Sequence, residues 1–362
     1  LIPVRVMQKD NRKSCEYLKQ CICNKNILNK WRKSIMGETM TVQETFTLLN
    51  KRFESINIKP LSELPPTKDD IVSTGIMGLD IALGVGGIKK GSIVEIYGPE
   101  SGGKTTLTLQ LCKQYQKLDK PVLYIDTERT LTKETIESMG IKEKNFYLMH
   151  VNNLEQALET CKTVAQAGTF SAIVIDSLAG LAPKAQIDGD IGDSHVGLFS
   201  RIMSDALSVL TPILDNSGCT LIVINQIREK VGVMFGNPEK TTGGRALKFY
   251  SSVRLDVRRI ESIKSMGDTV GFHTRVGVIK NKIAPPLKNV EFDIMFGKGI
   301  SVEGDILDQA VEKGIVTKYS SWYLYDGNKI GQGRENAKQY LKDNPTECKK
   351  IVAKLRKVSK IA

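Results

Sequence analysis

Four short apolar runs recur in the middle of the chain, each separated from the next by a segment of helix length. The runs are IVEIY at 93–97, PVLYID at 121–126, SAIVID at 171–176 and CTLIVIN at 219–225. Continuous apolar runs of this length are typical of strands that are buried on both faces of a parallel sheet. From about Ile71 the pattern therefore predicts an α/β fold with a mainly parallel central sheet covered by helices.

Three further strand-like runs, SVRLDVRRI, TRVGVIKNK and NVEFDIMF, follow one another with no helix between them. They predict antiparallel strands that extend the same sheet. After about Ser301 the chain changes to short helical patterns with aromatic residues, SSWYLYDG and then ENAKQYLKD. This change predicts a small, separate α+β C-terminal lobe over 302–362, which follows a core over 66–301 in the chain.

The N-terminal part of the chain has a different pattern. TVQETFTLLNKRFESI at 41–56 has apolar residues at helical spacing and predicts one short amphipathic helix, and KPLSELPPTKDD predicts a linker up to residue 65. Residues 1–40 have no clear period and predict a weakly ordered basic extension.

Two explanations compete for residues 1–40. An organelle-targeting peptide is usually rich in arginine and poor in acidic residues, whereas this segment is rich in Lys and Asn and contains Asp10 and Glu16. The composition favours the second explanation, translation from a start that lies too far upstream, in which case Met36 or Met40 is the natural start.

Composition narrows the class of protein. The chain has 362 residues with 41% hydrophobic content, enough for a large core, and no apolar run approaches the roughly 20 residues that span a bilayer. Seven scattered cysteines favour a reducing compartment over a disulfide framework, and Cys21 and Cys23 lack the partners of a zinc site. We expect a cytoplasmic protein, or an organellar one if residues 1–40 are a targeting peptide.

The net charge of +12 comes from the two ends of the chain. Residues 1–40 carry nine Lys/Arg against three Asp/Glu, and residues 348–362 carry six against none, so residues 41–347 carry 37 of each. Binding of nucleic acid by the central body would therefore depend on local placement of charge rather than on a global field.

One glycine-rich segment has a specific chemistry. GPESGGKT at 98–105 matches G-x-x-x-x-G-K-[ST], the loop whose backbone N–H groups surround a phosphate. Lys104 would reach the β- and γ-phosphates, and the Thr105 hydroxyl would hold Mg²⁺ at the start of the following helix. The motif predicts binding of a nucleoside triphosphate with Mg²⁺.

Two carboxylates follow strands that end near this loop. Asp176 ends SAIVID, where P-loop NTPases have the acid that helps to hold Mg²⁺, although such an aspartate can also be a turn former. Glu128 lies two residues beyond the strand-ending Asp126, where a carboxylate can orient and deprotonate the attacking water. The alternative for Glu128 is a solvated loop carboxylate.

A third strand leads into a long irregular segment. Gln226 directly follows CTLIVIN and ends this strand, where its amide could contact a γ-phosphate, and about 18 residues rich in Gly, Lys, Thr and Asn follow. Basic groups and backbone amides there suit a phosphodiester backbone, and Met234 and Phe235 could wedge between bases. A flexible surface loop is the alternative.

The segments GPESGGKTTLTLQ, VIDSLAGLAPKAQIDGDIGDSHVGL, INQIREKVGVMFGNPEKTTGGRALKFYSSVRLD and TRVGVIKNKIAPP together resemble the bacterial RecA recombinases over 70–345. The resemblance implies a RecA-type P-loop ATPase core and an enzyme that hydrolyses ATP when DNA is bound. It implies a helical filament of this chain on single-stranded DNA, with ATP between adjacent protomers, and strand exchange with homologous double-stranded DNA. It also implies a role in DNA repair and in the SOS response, with an SOS-type repressor as a further partner, and no membrane partner.

The same resemblance assigns roles to individual residues. Glu128 corresponds to the catalytic base, Asp176 to the Mg²⁺-side acid, Gln226 to the γ-phosphate sensor, and Lys280 and Lys282 to lysines that reach the neighbouring protomer's nucleotide. Segment 41–56 corresponds to the helix that docks on the next subunit, and the C-terminal lobe to the part that captures duplex DNA. The nucleotide site comprises Gly98, Pro99, Glu100, Ser101, Gly102, Gly103, Lys104, Thr105 and Thr106 together with Asp176.

Two DNA-binding loops are implied in the same way. The first comprises Gly189, Asp190, Ile191, Gly192, Asp193, Ser194, His195 and Val196, with Arg201. The second, Ile227–Thr241 and its flank, comprises Arg228, Lys230, Val231, Gly232, Met234, Phe235, Gly236, Asn237, Lys240, Thr241, Gly243 and Gly244.

Some positions depart from the family pattern. Thr132 and Thr135 stand where an aspartate and a tyrosine usually lie near the adenine, Val196 replaces a usual methionine, and Ser208 stands where a basic residue is common. The frequent acidic tail is replaced by the basic KKIVAKLRKVSKIA.

Three functions are compatible with such a core. An ATP-driven recombinase is the leading hypothesis, and an ATP-switched scaffold that coats single strands for a repressor, with little strand exchange, is the alternative. A helicase-like or clock-type relative would lack GDIGDSH and MFGNPEKTTGG together, so their presence argues against it.

Overall fold

The structure is a computed structural model that describes residues 40–53, 62, 70–190, 197–229 and 239–361. The expectations for residues 1–39 and for most of the linker lie outside the described residues. Contacts divide the chain into two units, 1–66 and 67–362. In the described ranges, no helix is both long and apolar enough to span a bilayer.

The first unit contains helix α1 (Val42–Arg52), within the segment predicted to be helical. Thr41 and Glu44 form a reciprocal cap at its start, because Thr41 Oγ1 accepts from the Glu44 backbone N–H at 3.3 Å and Glu44 Oε2 accepts from the Thr41 N–H at 3.1 Å. Lys51 and Arg52 in the last turn complement the negative end of the helix dipole.

The second unit contains the described strands and the remaining helices. The strands are β1 (Ile71–Val72), β2 (Ile88–Lys89), β3 (Ile93–Gly98), β4 (Val122–Asp126), β5 (Phe146–Met149), β6 (Ala172–Asp176), β7 (Thr220–Glu229), β8 (Glu239–Thr241), β9 (Val253–Ser265), β10 (Asp268–Asn281), β11 (Lys288–Met295), β12 (Gly299–Ile300), β13 (Val316–Tyr319), β14 (Trp322–Tyr325) and β15 (Asn328–Gln332). The helices are α2 (Met77–Leu83), α3 (Lys104–Tyr115), α4 (Lys133–Ser138), α5 (Leu154–Ala167), α6 (Lys184–Asp188), α7 (Leu198–Ser217), α8 (Ala246–Tyr250), α9 (Val302–Glu312), α10 (Arg334–Asp343) and α11 (Pro345–Ser359).

The central sheet has the order β12-β11-β10-β9-β3-β7-β6-β4-β5, with β8 paired to β7. Strands β9, β3, β7, β6, β4 and β5 run parallel, and β10, β11 and β12 continue the sheet antiparallel. The predicted parallel sheet and its antiparallel extension are confirmed. Strand β5 was not predicted from the sequence, because its apolar run FYLM is only four residues long and forms a half-exposed edge strand.

Side chains of the parallel strands alternate between two cores. Val94 and Ile96 pack on one face with helices α2 and α3, whereas Ile93 and Ile125 pack on the other with α5 and α7. Because both faces of the sheet are covered, the residues that point to either face are mostly apolar. The strands therefore appear in the sequence as nearly continuous apolar runs. The cysteines among the described residues are free thiols.

The C-terminal part combines the three-stranded sheet β13-β14-β15 with helices α9, α10 and α11 around an apolar cluster of its own. The prediction of a helical pattern for SSWYLYDG is wrong, since Trp322–Tyr325 forms strand β14. Tyr323 and Tyr325 are buried while Trp322 and Leu324 are not, an alternation of period two that fits a strand with one covered face.

The cluster of the lobe includes Met77 of α2, so lobe and core share packing. Asp305 of α9 lies at the start of α2 and accepts hydrogen bonds from the Gly78 N–H at 3.1 and 3.2 Å. The basic C-terminal segment is helix α11, which buries Ile351 and Leu355 in the same cluster and exposes several lysines.

Candidate functional site

The glycine-rich loop joins β3 to α3 and is shaped by backbone that favours glycine. Gly103 has φ +97°, and a Cβ there would lie 2.4 Å from Ile294 Cδ1. A Cβ on Gly98, which has φ +156°, would lie 2.1 Å from the Val257 carbonyl oxygen. Side chains at these two positions would push the loop away from the sheet.

Helix α3 begins at this loop without a side-chain cap. Its N-cap is Gly103, and no side-chain hydrogen bond caps the first turn. The N–H groups of a first helical turn lack intrahelical partners, and together with the dipole they favour an anion. The start of α3 therefore has the donors that a phosphate group requires.

Lys104 is the first residue of α3, and its buried amine folds back on the loop. The ammonium donates to the carbonyl oxygens of Pro99 at 2.6 Å and Gly98 at 3.1 Å. Burial lowers the pKa of Lys104, while Asp176, Glu128 and Glu100 act in the opposite direction. The amine is thus held beside the loop by neutral carbonyl acceptors. A phosphate oxygen, which is charged, could replace these carbonyls as its acceptor.

A cavity of about 470 Å³ lies at the loop and the carboxyl ends of β4, β6 and β7. Its size falls in the range of small-molecule sites. Most of the predicted nucleotide and catalytic residues line it, with three further residues that the sequence reasoning did not single out. Its lining is Glu100, Ser101, Gly102, Gly103, Lys104, Thr105, Thr106, Glu128, Asp176, Ser177, Ile224, Gln226 and Phe272.

Asp176 ends β6 beside the loop and is nearly buried. Its Oδ2 accepts a hydrogen bond from Thr105 Oγ1 at 2.9 Å and another from the Tyr124 hydroxyl at 2.5 Å. Burial raises the pKa of Asp176, and the two hydrogen bonds oppose that shift. The carboxylate and the Thr105 hydroxyl therefore meet at one point of the cavity wall.

Asp126 shapes the turn that carries Glu128. Its carboxylate accepts backbone hydrogen bonds from Glu128 at 3.1 Å, Arg129 at 2.8 Å and Leu131 at 3.1 Å. Arg129 has φ +56°, a left-handed conformation that three converging hydrogen bonds help to hold. The turn lifts Glu128 out of the sheet and toward the cavity.

Two donors meet on the Glu128 carboxylate. Ser177 Oγ donates to Oε1 at 2.8 Å, and Gln226 Nε2 donates to the same oxygen at 3.3 Å. Glu128 is therefore connected to the ends of β6 and β7. Glu128 is an exposed loop carboxylate that these two donors orient, and its role as the base stays a prediction.

A buried polar network lies behind Gln226. Asn225 Nδ2 donates to Glu95 Oε1 at 3.0 Å and to the Thr242 carbonyl at 2.8 Å, and Asn225 Oδ1 accepts from the Gln226 N–H at 3.0 Å. Arg254 pairs with Glu95 at 2.5 Å. The strand that carries Gln226 is thus fixed to β3, to β9 and to the turn after β8.

The segments predicted to bind DNA are described in part. Gly189, Asp190 and Arg201 are exposed, and 191–196 lie outside the described residues. The expectation of an irregular segment from residue 227 is wrong at both ends, because β7 continues to Glu229 and pairs with β8. Arg228 and Lys240 are exposed and stand opposite each other on this ladder, whereas 230–238 lie outside the described residues.

Lys280 and Lys282 do not line the cavity of their own protomer. Lys280 Nζ donates to the carbonyls of Lys248 at 2.6 Å and Phe249 at 2.9 Å, and Lys282 Nζ to that of Tyr250 at 3.3 Å. Both amines therefore meet the last carbonyls of helix α8. Phe249 on that helix is exposed.

The residues of the cavity fit a magnesium triphosphate. The uncapped amides and Lys104 suit phosphates, and the Thr105 hydroxyl and the Asp176 carboxylate are the hard oxygen donors that Mg²⁺ prefers. Among the described residues no group of three or more His, Cys, Asp or Glu side chains gathers into a metal site.

Two family models match nearly all of the chain beyond residue 39. The RecA N-terminal domain matches residues 40–301, and the RecA C-terminal domain matches residues 304–360. The chain belongs to the RecA family.

RecA proteins of several bacteria are similar over most of their length. Protein RecA of Streptomyces avermitilis is 50% identical over 308 residues, which cover 85% of this chain and 82% of that protein. Protein RecA of Clostridium novyi is 49% identical over 315 residues, 87% of this chain and 90% of that protein. A solved RadB recombinase matches with a TM-score of 0.47 and 23% identity, over 64% of this chain and 98% of that chain.

Two departures from the RecA pattern have local explanations. Thr132 caps the start of α4, where its hydroxyl accepts from the Thr135 N–H at 3.3 Å. Neither threonine lines the cavity. Ser208 is exposed, and its hydroxyl donates to the Asp205 backbone carbonyl at 2.7 Å. Its hydroxyl proton is therefore used in a hydrogen bond within its own helix.

Four residues at or directly behind the cavity were missed from sequence: Ser177, Ile224 and Phe272, which line it, and Tyr124, which contacts Asp176. Ser177 directly follows Asp176, and Tyr124 precedes Asp126 by two positions and so shares its face of β4, which is the signal that could have found them. Phe272 had no comparable signal, since it reaches the cavity from β10, far along the chain.

Proposed function

We propose that this chain is an ATP-driven recombinase that polymerises on single-stranded DNA and exchanges strands with homologous duplex DNA. The observation that carries the proposal is the contact between Gln226 Nε2 and Glu128 Oε1 at 3.3 Å, beside the phosphate loop. Gln226 lies on β7. The end of β7 pairs with β8, and these two paired strands flank the second DNA-binding segment. One side chain thus connects the hydrolytic carboxylate to the strand that leads to DNA.

ATP binds with its phosphates at the start of α3. The loop amides and Lys104 contact the β- and γ-phosphates, and Lys104 exchanges its carbonyl acceptors for phosphate oxygens. Thr105 and Asp176 would hold Mg²⁺, which would supply positive charge to offset the charge that develops on the phosphates. Glu128 accepts a proton from the water that attacks the γ-phosphate.

Gln226 couples the binding of ATP to the conformation of the DNA-binding segments. Its amide turns from Glu128 to the γ-phosphate when ATP is bound, which releases Oε1 of Glu128 for the attacking water. The strand behind Gln226 is held by the Asn225 network, so movement of the amide is transmitted along β7 rather than absorbed in the core.

DNA binds at the first and second loops. Arg228 and Lys240, opposite each other on the β7–β8 ladder, supply adjacent positive charges for a phosphodiester backbone. Arg201 serves the first loop, and Phe235 stacks against a base of the single strand. Helix α11 supplies exposed lysines for duplex DNA.

ATP lies between protomers of a helical filament, in which Lys280 and Lys282 reach the neighbour's nucleotide. Their absence from the cavity of their own protomer supports a role in the next one. Helix α1 docks on the adjacent subunit. In the cytoplasm, the filament also stimulates self-cleavage of an SOS-type repressor.

Strand exchange between circular single-stranded DNA and homologous linear duplex, with ATP and Mg²⁺, tests this function. We expect joint molecules and then nicked circular product. Lys104→Ala, which removes the phosphate-binding amine, serves as the control and should give neither. Filaments that form with ATP but yield no joint molecules would contradict strand exchange and favour a binding scaffold.

A further inference from the structure

Tyr124 is a buried tyrosine whose hydroxyl contacts Asp176, a residue of the cavity wall. It lies in the middle of β4 with no exposed surface, and its ring packs against Phe146 with centroids 5.6 Å apart. Its hydroxyl donates to Asp176 Oδ2 at 2.5 Å. The aromatic ring thus belongs to the core and the one polar atom belongs to the site.

Two hydroxyls converge on a single oxygen of Asp176. Tyr124 and Thr105 both donate to Oδ2, at 2.5 and 2.9 Å, which uses both lone pairs of that oxygen. Among the hydrogen bonds of the described residues none reaches Oδ1 of Asp176. The carboxylate is therefore held in one rotation, with Oδ1 as its unused oxygen.

Tyr124 and Thr105 approach Asp176 from different elements. Thr105 lies in the first turn of α3 and Tyr124 in β4, which pairs directly with β6 and brings Tyr124 beside Val174. If Thr105 held a metal ion through a hydroxyl lone pair, its hydroxyl proton would remain available for Asp176. Tyr124 has no other role at the cavity, because it does not line it.

We propose that Tyr124 is a positioning residue for the Mg²⁺ site, fixing the Asp176 carboxylate through Oδ2 so that Oδ1 is presented to the ion. This inference rests on the proposed function, in which Asp176 serves Mg²⁺. Tyr124 acts through Asp176 and touches neither nucleotide nor metal. A hydrogen bond to a charged group changes an equilibrium by about tenfold or more, so its loss should be measurable as a loss of Mg²⁺ affinity.

Tyr124→Phe is the direct test, since it removes the hydroxyl and keeps the ring that packs on Phe146. The affinity for a fluorescent ATP analogue is measured in EDTA and over a Mg²⁺ titration. We expect unchanged affinity in EDTA and a Mg²⁺ midpoint about tenfold higher. Tyr115→Phe, in an equally buried tyrosine of α3, is the matched control and should leave the midpoint unchanged.

Thermal unfolding of the same samples gives a second measurement. The increase in Tm on adding Mg²⁺ to nucleotide-saturated protein should be smaller for Tyr124→Phe than for the unsubstituted chain or Tyr115→Phe. An unchanged Mg²⁺ midpoint in folded Tyr124→Phe overturns the inference. An equal loss of affinity with and without Mg²⁺ also overturns it, because that result reports a purely structural role.

Asp176→Asn separates this inference from the proposed function. If Asp176→Asn raises the Mg²⁺ midpoint and Tyr124→Phe does not, the inference about Tyr124 fails and the metal role of Asp176 stands. If Asp176→Asn leaves the midpoint unchanged, the metal role of Asp176 fails, and with it the inference.

Discussion

The hydroxyl of Ser177 donates a 2.8 Å hydrogen bond to Oε1 of Glu128, although the two residues follow different strands. Strands β4 and β6 are paired so that Asp126 stands opposite Asp176, which brings the residues just beyond them together. Gln226 adds a second donor to the same oxygen from β7. An exposed carboxylate is thereby oriented by two neighbouring strand ends.

Glu128→Gln should stop ATP turnover while it spares ATP binding. Glutamine keeps an oxygen acceptor for Ser177 and Gln226 but cannot take a proton. We expect turnover to fall by a factor on the order of 10²–10⁴, with filament formation and strand pairing retained. Steady-state ATPase activity on single-stranded DNA measures turnover, and electron microscopy measures filament formation. Normal turnover in this variant would show that Glu128 is not the catalytic base.

Ser177→Ala should lower turnover less than Glu128→Gln does. The substitution removes one of the two donors that orient the carboxylate and leaves Gln226 in place, so we expect a decrease in kcat of roughly tenfold with little change in KM. Ser171→Ala is the matched control, because the Ser171 hydroxyl also donates a hydrogen bond, to the Pro121 carbonyl at 3.1 Å, but precedes the opposite end of β6. A rise in KM at constant kcat would instead indicate that Ser177 contributes to nucleotide binding.

Alanine at both Lys280 and Lys282 should leave ATP binding by isolated protomers nearly unchanged. Turnover should collapse in the filament, since charge developing on the γ-phosphate loses its partners from the neighbouring subunit. Because both amines also meet carbonyls at the end of α8, thermal unfolding must accompany the assay.

Mixing the Lys280/Lys282 variant with Glu128→Gln protein tests whether the lysines act across the interface. Junctions that combine an intact Glu128 with intact lysines from the neighbour should restore part of the ATPase activity. No recovery at any ratio, with mixed filaments verified, would mean that the lysines serve their own subunit's nucleotide or none.

The exposed lysines of α11 should contribute to duplex binding. Deleting 348–362 would also remove the buried Ile351 and Leu355, so substitution is the cleaner test. Lys349→Gln with Lys350→Gln should weaken duplex affinity and reduce the slope of log K against log salt by about 1–2, compared with Lys142→Gln and Lys144→Gln on the core. Tighter duplex binding would make the segment autoinhibitory.

Stability should depend on pH through Asp305. Burial raises the pKa of Asp305 to about 7, with Asp80 and Asp308 adding to the shift, and the unfolded chain has the ordinary value near 3.8. The folded state therefore binds the Asp305 proton more tightly than the unfolded chain does. The stabilisation of the fold by this proton is lost as pH rises through about 7. Between pH 6 and pH 8 this amounts to roughly 1 kcal/mol.

Thermal unfolding at the two pH values measures this effect. Asp80 also titrates in the fold, with a pKa raised by burial to about 6 and with Arg356 opposing the shift, so the comparison is made against Asp305→Asn. That variant keeps an oxygen for Gly78 but does not titrate. We expect the Tm of the unsubstituted chain to fall by about 2–4 °C more than that of Asp305→Asn, and equal decreases would assign the dependence elsewhere.

The sequence by itself determined the fold class and the chemistry of the nucleotide site. Strands buried on both faces are largely apolar, apart from paired polar residues such as Glu95 and Asn225, so β3, β4, β6 and β7 are visible as runs. The phosphate loop is local in sequence because its glycines, Lys104 and Thr105 act through contiguous backbone. Asp176, Glu128 and Gln226 were predictable because the carboxyl ends of parallel strands meet at one edge.

Only the tertiary structure decided how these side chains are held. The pairing of β4 with β6 brings Tyr124 and Ser177 to Asp176 and Glu128, and that pairing depends on strand order, which a one-dimensional pattern does not contain. Strand β14 was misjudged, and the burial of Ile351 and Leu355 in α11 was not foreseen, for a related reason. Whether an aromatic or basic segment is exposed depends on which distant apolar face covers it, and that is set by packing rather than by local sequence.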